Sequence, residues 1–393
     1  MDPVANPFRP GAGRRPPVLA GRGSLIGAFD IVRRRAEERG EGDRSWVLYG
    51  LRGVGKTALL NELDATVSSR GWITAKVEAT PATPLAVSLA SALVKSMRSA
   101  TGRHPEPRLR RLLGIFKGFT VKVDPATGAF SLGADIAPLP GADSGRLSED
   151  LATLFGVLGE TSRELGVGTL ILVDELQEAT AEELTAVNTA VHALGQGGEP
   201  LPVVFVGAGL PSLPAQLAEA TSYAERLYDY RPVGLLTTLD ATAALTGPTT
   251  AQGVSWEDDA LDAALGIAAG YPYFLQAIGK HVWDVSPGPA ITVEDVQVGG
   301  EFARREVDEG LYRSRWERAT GAQRALLRAM AELGSGDAVS VADLVGPLNK
   351  NRVQDLSVAR TELIRKGLLY APERGQLAFT VPGMPEFIRK QTT

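Results

Sequence analysis

The 393-residue chain contains no cysteine, which excludes disulfides, thiolate nucleophiles and thiolate metal sites. Histidine is nearly as scarce. His104, His192 and His281 are scattered, with no metal-ligand spacing among them. Aromatic residues make up only 6% of the chain. No stretch approaches the roughly 18 uninterrupted apolar residues that a membrane-spanning helix needs, so no membrane partner is expected. The opening segment, MDPVANPFRPGAGRRPPVLAGR, has no apolar run after its charges and does not read as a secretory signal. A cytoplasmic location is the default expectation. Internal repeats and low-complexity tracts are also missing.

What is present is ordinary in bulk, with 44% hydrophobic and 22% charged residues, and the length predicts two or three domains. Net charge is −5, which argues against a chain coated in nucleic acid but not against one basic domain. Residues 312–393 carry thirteen Lys/Arg against eight Asp/Glu, so an acidic body ends in a basic piece.

The residues that organise the rest are Val47 to Leu60, VLYGLRGVGKTALL. They spell Gly50-x-x-x-x-Gly55-Lys56-Thr57, a phosphate-binding loop, after an apolar run and before a helical pattern. Glycines let successive backbone N–H groups turn inward around an anion, and the following helix adds its positive end. Gly50, Leu51, Arg52, Gly53, Val54, Gly55, Lys56, Thr57 and Ala58 are therefore the candidate nucleotide-binding residues. The Lys56 ammonium would reach the β- and γ-phosphates and the Thr57 hydroxyl would ligate Mg²⁺.

Apolar strands alternate with helical patterns through the first 236 residues. Strands are predicted at Ser45–Tyr49, Trp72–Val77, Gly168–Asp174, Leu201–Val206 and Tyr228–Val233. Helices are predicted from about Ser24 to Glu38, with Ser24 a candidate cap, then after the loop to about Ser69, over Pro84–Met97, Ser148–Leu165 and Glu182–Gly195. Such alternation means a doubly wound parallel sheet with the ligand at the carboxyl ends of the strands. The third strand runs into Asp174-Glu175. Downstream of a phosphate loop, that pair reads as a magnesium-shell carboxylate (Asp174) and a catalytic base for the attacking water (Glu175). The alternative is an acidic pair that merely opens a helix.

Residues 101–147 interrupt the core, and Phe119–Val123, Asp124–Gly128 and Ala129–Leu132 read as strand, turn, strand. A surface hairpin without function and one that binds a partner are both open. From Thr238 to about Gly310 the pattern is wholly helical, as a lid beside the nucleotide would be. Residues 312–393 follow with helices at Ala322–Leu333, Val341–Val345 and Leu356–Lys366. A hairpin of Gly367–Tyr370 with Gln376–Thr380 completes a winged helix-turn-helix. Arg352, Arg360, Arg365 and Lys366 lie in or near its third, recognition helix, and Arg374 lies on the wing. They would suit double-stranded DNA, or simply form a solvated face.

With these motifs placed, the chain resembles a bacterial family of AAA+ ATP-binding proteins related to archaeal ATPases, origin-recognition-type initiators and signal-transducing (STAND) NTPases. The resemblance rests on Asn6 to Gly13 with Pro16 to Arg22, on Leu48 to Thr57 and on Gly207-Ala-Gly-Leu-Pro211. It extends to Ser222-Tyr-Ala-Glu-Arg226, Gly270-Tyr-Pro-Tyr-Phe274 and Phe379-Thr-Val-Pro382. It implies a P-loop AAA+/ASCE core over 1–236, a helical lid over 237–311 and the winged helix over 312–393, binding ATP or ADP with Mg²⁺. By this likeness Leu19 to Arg22 line the adenine side, and Pro272 contacts the base in a lid motif. Arg226 would be an arginine finger acting in trans on a neighbouring copy, the alternative being a surface arginine. An ATP-hydrolysing switch acting on DNA, as a homo-oligomer or with a protein partner, is the implied function. The alternative is a nucleotide-dependent protein-interaction switch with little turnover and no DNA binding. Two departures, Gly23 where relatives often carry an acid and no polar residue in the strand ending at Val206, make slow turnover the expectation.

Overall fold

The computed structural model describes residues 1–393 apart from 12, 104–119, 124–129, 134–146, 197, 335–337 and 392–393. Five parallel strands form the central sheet: β1 (Ser45–Tyr49), β2 (Ile73–Glu78), β3 (Thr169–Asp174), β4 (Val203–Gly209) and β5 (Tyr228–Pro232). Their order across the sheet is β2-β3-β4-β1-β5, and each pairing is parallel. The strands read as continuous apolar runs because helices cover both faces. Along β3, Leu170 and Leu172 enter one core with Trp46, Leu59 and Leu63, while Ile171 and Val173 enter the other with Phe155, Leu158 and Val187. Residue alternation at period 2 thus feeds two separate cores from one strand.

Local chemistry explains most element boundaries. The helix Gly23–Arg39 starts one residue before Ser24, which gives no side-chain cap; Arg22 holds that position. Gly40 ends it in the left-handed region at φ 66°. The helix Ala181–Ala193 opens on a reciprocal capping box between Thr180 and Glu183. In the insertion, Thr120–Val123 and Phe130–Gly133 pair antiparallel as the sequence predicts, and the turn between them lies outside the described residues.

The helical segment after β5 comprises Thr238–Thr250, Asp258–Ala268, Pro272–Val285 and Val293–Val307. It is not wholly helical: Ser255–Trp256 and Ala290–Ile291 form a two-stranded parallel pair. The first residues of the chain pack here and not on the sheet. Asn6 Nδ2 donates to Lys280 O (3.0 Å) and Asp284 Oδ1 (2.7 Å), and Phe8 is buried where Gly279 leaves no Cβ in its way.

The C-terminal unit contains the helices Gly321–Leu333 and Ser357–Arg365 and an antiparallel sheet of Val339–Ser340, Gln376–Phe379 and Leu369–Tyr370, in that spatial order. The strand at Val339–Ser340 is too short for its pattern to be read from sequence. The helix predicted at Val341–Val345 is a correction. Residues 341–349 form successive turns, with Asp343 N–H donating to Ser340 O and Asn349 N–H to Gly346 O. The strand immediately before them and Pro347, which lacks an N–H, leave no room for a full helical turn to propagate.

Candidate nucleotide site

The phosphate loop leaves the carboxyl end of β1 and turns into the helix Lys56–Ser68. Gly53 and Gly55 hold φ values of 77° and 94°, where residues with a side chain are strained. A Cβ on Gly53 would lie 2.1 Å from the Tyr271 hydroxyl oxygen, so this glycine is also what lets Tyr271 lie against the loop. Tyr271 Oη donates to Arg52 O at 2.6 Å.

Lys56 is buried, and its ammonium donates to Gly50 O and Leu51 O, both at 2.9 Å. Burial pulls its pKa down to about 8; Glu175 and Asp174 oppose this shift and Arg52 adds to it. The Thr57 hydroxyl donates to Asp174 Oδ2 at 2.6 Å, bringing the two candidate metal ligands together. One hydroxyl and one carboxylate fit Mg²⁺, which takes oxygen ligands and keeps several of its waters.

Glu175 stands at φ 49°, a left-handed conformation rare outside glycine and one that concentrates at working sites. Its Oε1 lies 3.3 Å from Arg52 Nη1, and its Oε2 accepts from Gln177 Nε2 at 2.6 Å. Gln177 Oε1 in turn accepts from Leu210 N–H at 3.0 Å, just past β4. The sequence reading found no polar residue within the fourth strand. Gln177 brings one to its end from the turn after β3, a placement no spacing rule could reveal. As the group orienting the Glu175 carboxylate, Gln177 should matter to turnover. Gln177→Leu is expected to lower kcat about tenfold at nearly constant KM; equal kcat in a steady-state phosphate-release assay would remove that role.

Arg52, Lys56, Thr57 and Glu175 face a cleft of about 440 Å³ bounded by the N-terminal segment, the loop and the helical segment after β5. Arg22, Leu19, Pro272, Gly53 to Ala58 and Glu175 all line it. Arg22, however, commits its guanidinium to main-chain carbonyls, Val54 O at 2.9 Å and Gly234 O at 2.6 Å. Burial lowers its pKa from the usual arginine value, partly offset by Asp240. It therefore fastens the N-terminal segment to the loop. Pro272 is the first residue of the helix Pro272–Val285, where a missing N–H costs nothing. Arg226 is not brought to this cleft. It lines a separate hollow with Asp43, Arg44 and Ser45 at the amino ends of β1 and β4, so within one chain it does not meet the loop.

Sequence comparison agrees with this geometry. Residues 18–206 match the family described as the AAA ATPase domain. This stretch is an AAA ATPase domain. Residues 309–388 match a family described only as a domain of unknown function. Beyond the AAA domain, the full chain is similar in fold to a Walker-type ATPase of Pyrococcus abyssi, with 15% identity, 98% of this chain and 99% of that one covered, and a TM-score of 0.64. It is also similar to the Aeropyrum pernix ORC2 protein in its ADPNP–ADP complexes, with 14% identity, 96% and 95% covered, and a TM-score of 0.57. At these identities the likeness is one of fold. No curated protein matches the chain in sequence. The AAA domain and the C-terminal unit touch directly: Arg52 N–H donates to Thr380 O at 3.1 Å, and a Cβ on Gly367 would meet the Arg52 guanidinium at 2.8 Å.

Proposed function

We propose that the chain is an ATP-hydrolysing switch whose nucleotide state is passed to a C-terminal winged helix that binds double-stranded DNA. The working parts are a core over 1–236, a lid over 237–311 and the winged helix over 312–393. One observation carries the reading: Lys56, Thr57 and Glu175 line one cleft at the carboxyl edge of a parallel sheet, where Thr57 donates to the buried Asp174.

In this reading the amides of Gly53 to Ala58 and the Lys56 ammonium bind the β- and γ-phosphates. Thr57 and Asp174 hold Mg²⁺, which when bound neutralises charge on the phosphate oxygens. Glu175 orients the attacking water and accepts its proton as the bond to the γ-phosphorus forms and the bond to the leaving β–γ bridging oxygen breaks. Pro272 sits against the base. Arg226, remote from its own cleft, acts only if a second copy presents it in trans, which implies a homo-oligomer in the hydrolytic state. Titration of the full chain with ATP and magnesium tests the nucleotide half, and no heat of binding would end it.

Support for DNA comes from the basic balance of residues 312–393 and from exposed Arg352 and Arg374. Two of the candidate cations are otherwise engaged. Arg365 pairs with Glu362 at 2.6 Å, and Lys366 Nζ donates to Arg318 O and Gln323 Oε1, both at 2.8 Å. Exposed Val353 and Val358, the latter 77% accessible, favour a second reading in which the same helix docks a protein. Fluorescence anisotropy of the full chain on a labelled 30-base-pair duplex separates them. The DNA reading expects micromolar binding at 50 mM salt that weakens at least tenfold by 200 mM; no binding at low salt selects the protein partner.

A further inference from the structure

Arg315 reaches the cleft although no motif announces it. Arg315 follows a six-residue π-helix, Asp308–Arg313, that interrupts the helical run between Val293–Val307 and Ser314–Glu317. π-Helical turns are rare and cluster at working sites, because the added residue rotates everything after it relative to everything before. Here the rotation sorts the connector into two faces. Gly310, Leu311 and Arg315 line the nucleotide cleft with Lys56, Thr57 and Glu175. Tyr312 and Trp316 point the other way, into the core shared with the C-terminal unit. Tyr312 Oη donates to Pro382 O at 2.6 Å, and its ring packs 5.4 Å from that of Phe387.

Arg315 is half-buried, yet among the described residues no carboxylate forms an ion pair with it. Its one hydrogen bond goes to Leu311 O, a turn back in its own helix, at 2.9 Å. The groups that face it are Arg52, Tyr271, Arg318 and Glu175, and the balance of burial and neighbouring arginines disfavours its charge. A buried cation without a counter-charge is costly. Among the described residues Arg315 shares the cleft with Arg9, Arg14, Arg22, Arg52 and Lys56, and Glu175 there is already shared with Arg52. Arginine's planar fork matches phosphate oxygens, and Glu175, the residue assigned to the water that attacks the terminal phosphate, is among the groups facing Arg315.

We propose that Arg315 is a ligand of the nucleotide's terminal phosphate, and so the residue by which this chain distinguishes ATP from ADP. The proposal rests on the nucleotide reading above. The segment that carries Arg315 also carries Tyr312 and Trp316, so a change at the phosphate reaches the C-terminal unit through one turn of helix.

The test compares ATP with ADP, each with magnesium, by calorimetry on the full-length parent and on Arg315→Gln. The expected result is ATP affinity reduced by about ten- to a hundredfold with ADP affinity within about twofold, and an unchanged melting temperature without nucleotide. Arg315→Lys, which keeps the charge but not the fork, should recover part of the loss. Equal loss for both nucleotides, or no loss for either, overturns the proposal while leaving the loop reading intact. A parent chain that binds neither nucleotide overturns both. If Arg315→Gln does not fold, hydrogen exchange in the parent decides. Amides of 308–317 should be protected more by an ATP analogue with a non-hydrolysable β–γ bridge than by ADP, and equal protection refutes the assignment.

Discussion

Glu175→Gln is expected to bind ATP within about threefold of the parent and to release phosphate at least a hundredfold more slowly. The substitution is isosteric, so the side chain keeps its place. The new amide oxygen can accept from Gln177 Nε2, which leaves the Gln177–Leu210 bond intact, and only the 3.3 Å contact with Arg52 is given up. What is lost is the capacity to accept a proton from water, and positioned bases contribute about 10²- to 10⁴-fold. Binding should be spared because the Lys56 and Thr57 contacts involve Gly50, Leu51 and Asp174 and not Glu175. Single-turnover phosphate release beside a nucleotide-binding isotherm separates the two quantities. A variant that hydrolyses at the parental rate would show that another group takes the proton.

The second large effect belongs to Lys56→Ala, for which ATP affinity is expected to fall a hundredfold or more, with circular dichroism confirming that the sheet is intact. The pH dependence of the parent makes the case sharper. Burial lowers the folded-state pKa of Lys56 from 10.5 to about 8, so the folded chain disfavours the ammonium. That penalty on stability is fully present below about pH 8 and fades as pH rises from there towards 10.5. A triphosphate favours the charged form and raises the pKa again. Binding near pH 8 should therefore take up a proton, and affinity should fall by up to tenfold per pH unit above it. Calorimetry in buffers of different ionisation enthalpy reads the uptake directly. Lys56→Ala should show none, and a parent chain whose ATP affinity is flat from pH 7.5 to 9.5 would mean that Lys56 does not carry the phosphates.

The sequence made the core legible because its signals are local and periodic. Gly50 to Thr57 names its own geometry, and the five strands were placed within three residues at each end because parallel strands are apolar on both faces. Asp174 and Thr57, 117 positions apart, stand within hydrogen-bond distance of each other, as two groups assigned to one ion would. What stayed hidden depends on contacts between distant segments. Nothing in Ser314-Arg315-Trp316 says that a π-turn will swing the arginine into a cleft built 260 residues earlier. Gln177 carries no signal of its own until β4 is seen beside it, and the contact of Tyr271 emerges only when Gly53 is found beneath its hydroxyl. Arg22 is assigned to the adenine side by the family likeness alone; it lines the cleft, and no motif could show that its fork is taken up by two carbonyls.

An amide carries a single hydrogen, and the one on Arg52 points out of the loop, to Thr380. Should the loop draw that hydrogen inward around an anion, the C-terminal unit gives up its bond in the same movement. Linkage then runs both ways: whatever pulls residues 367–380 off the AAA domain must tighten the grip on nucleotide by the same factor that nucleotide loosens them. A partner that draws that unit away would therefore retain nucleotide in the cleft without ever approaching the phosphates.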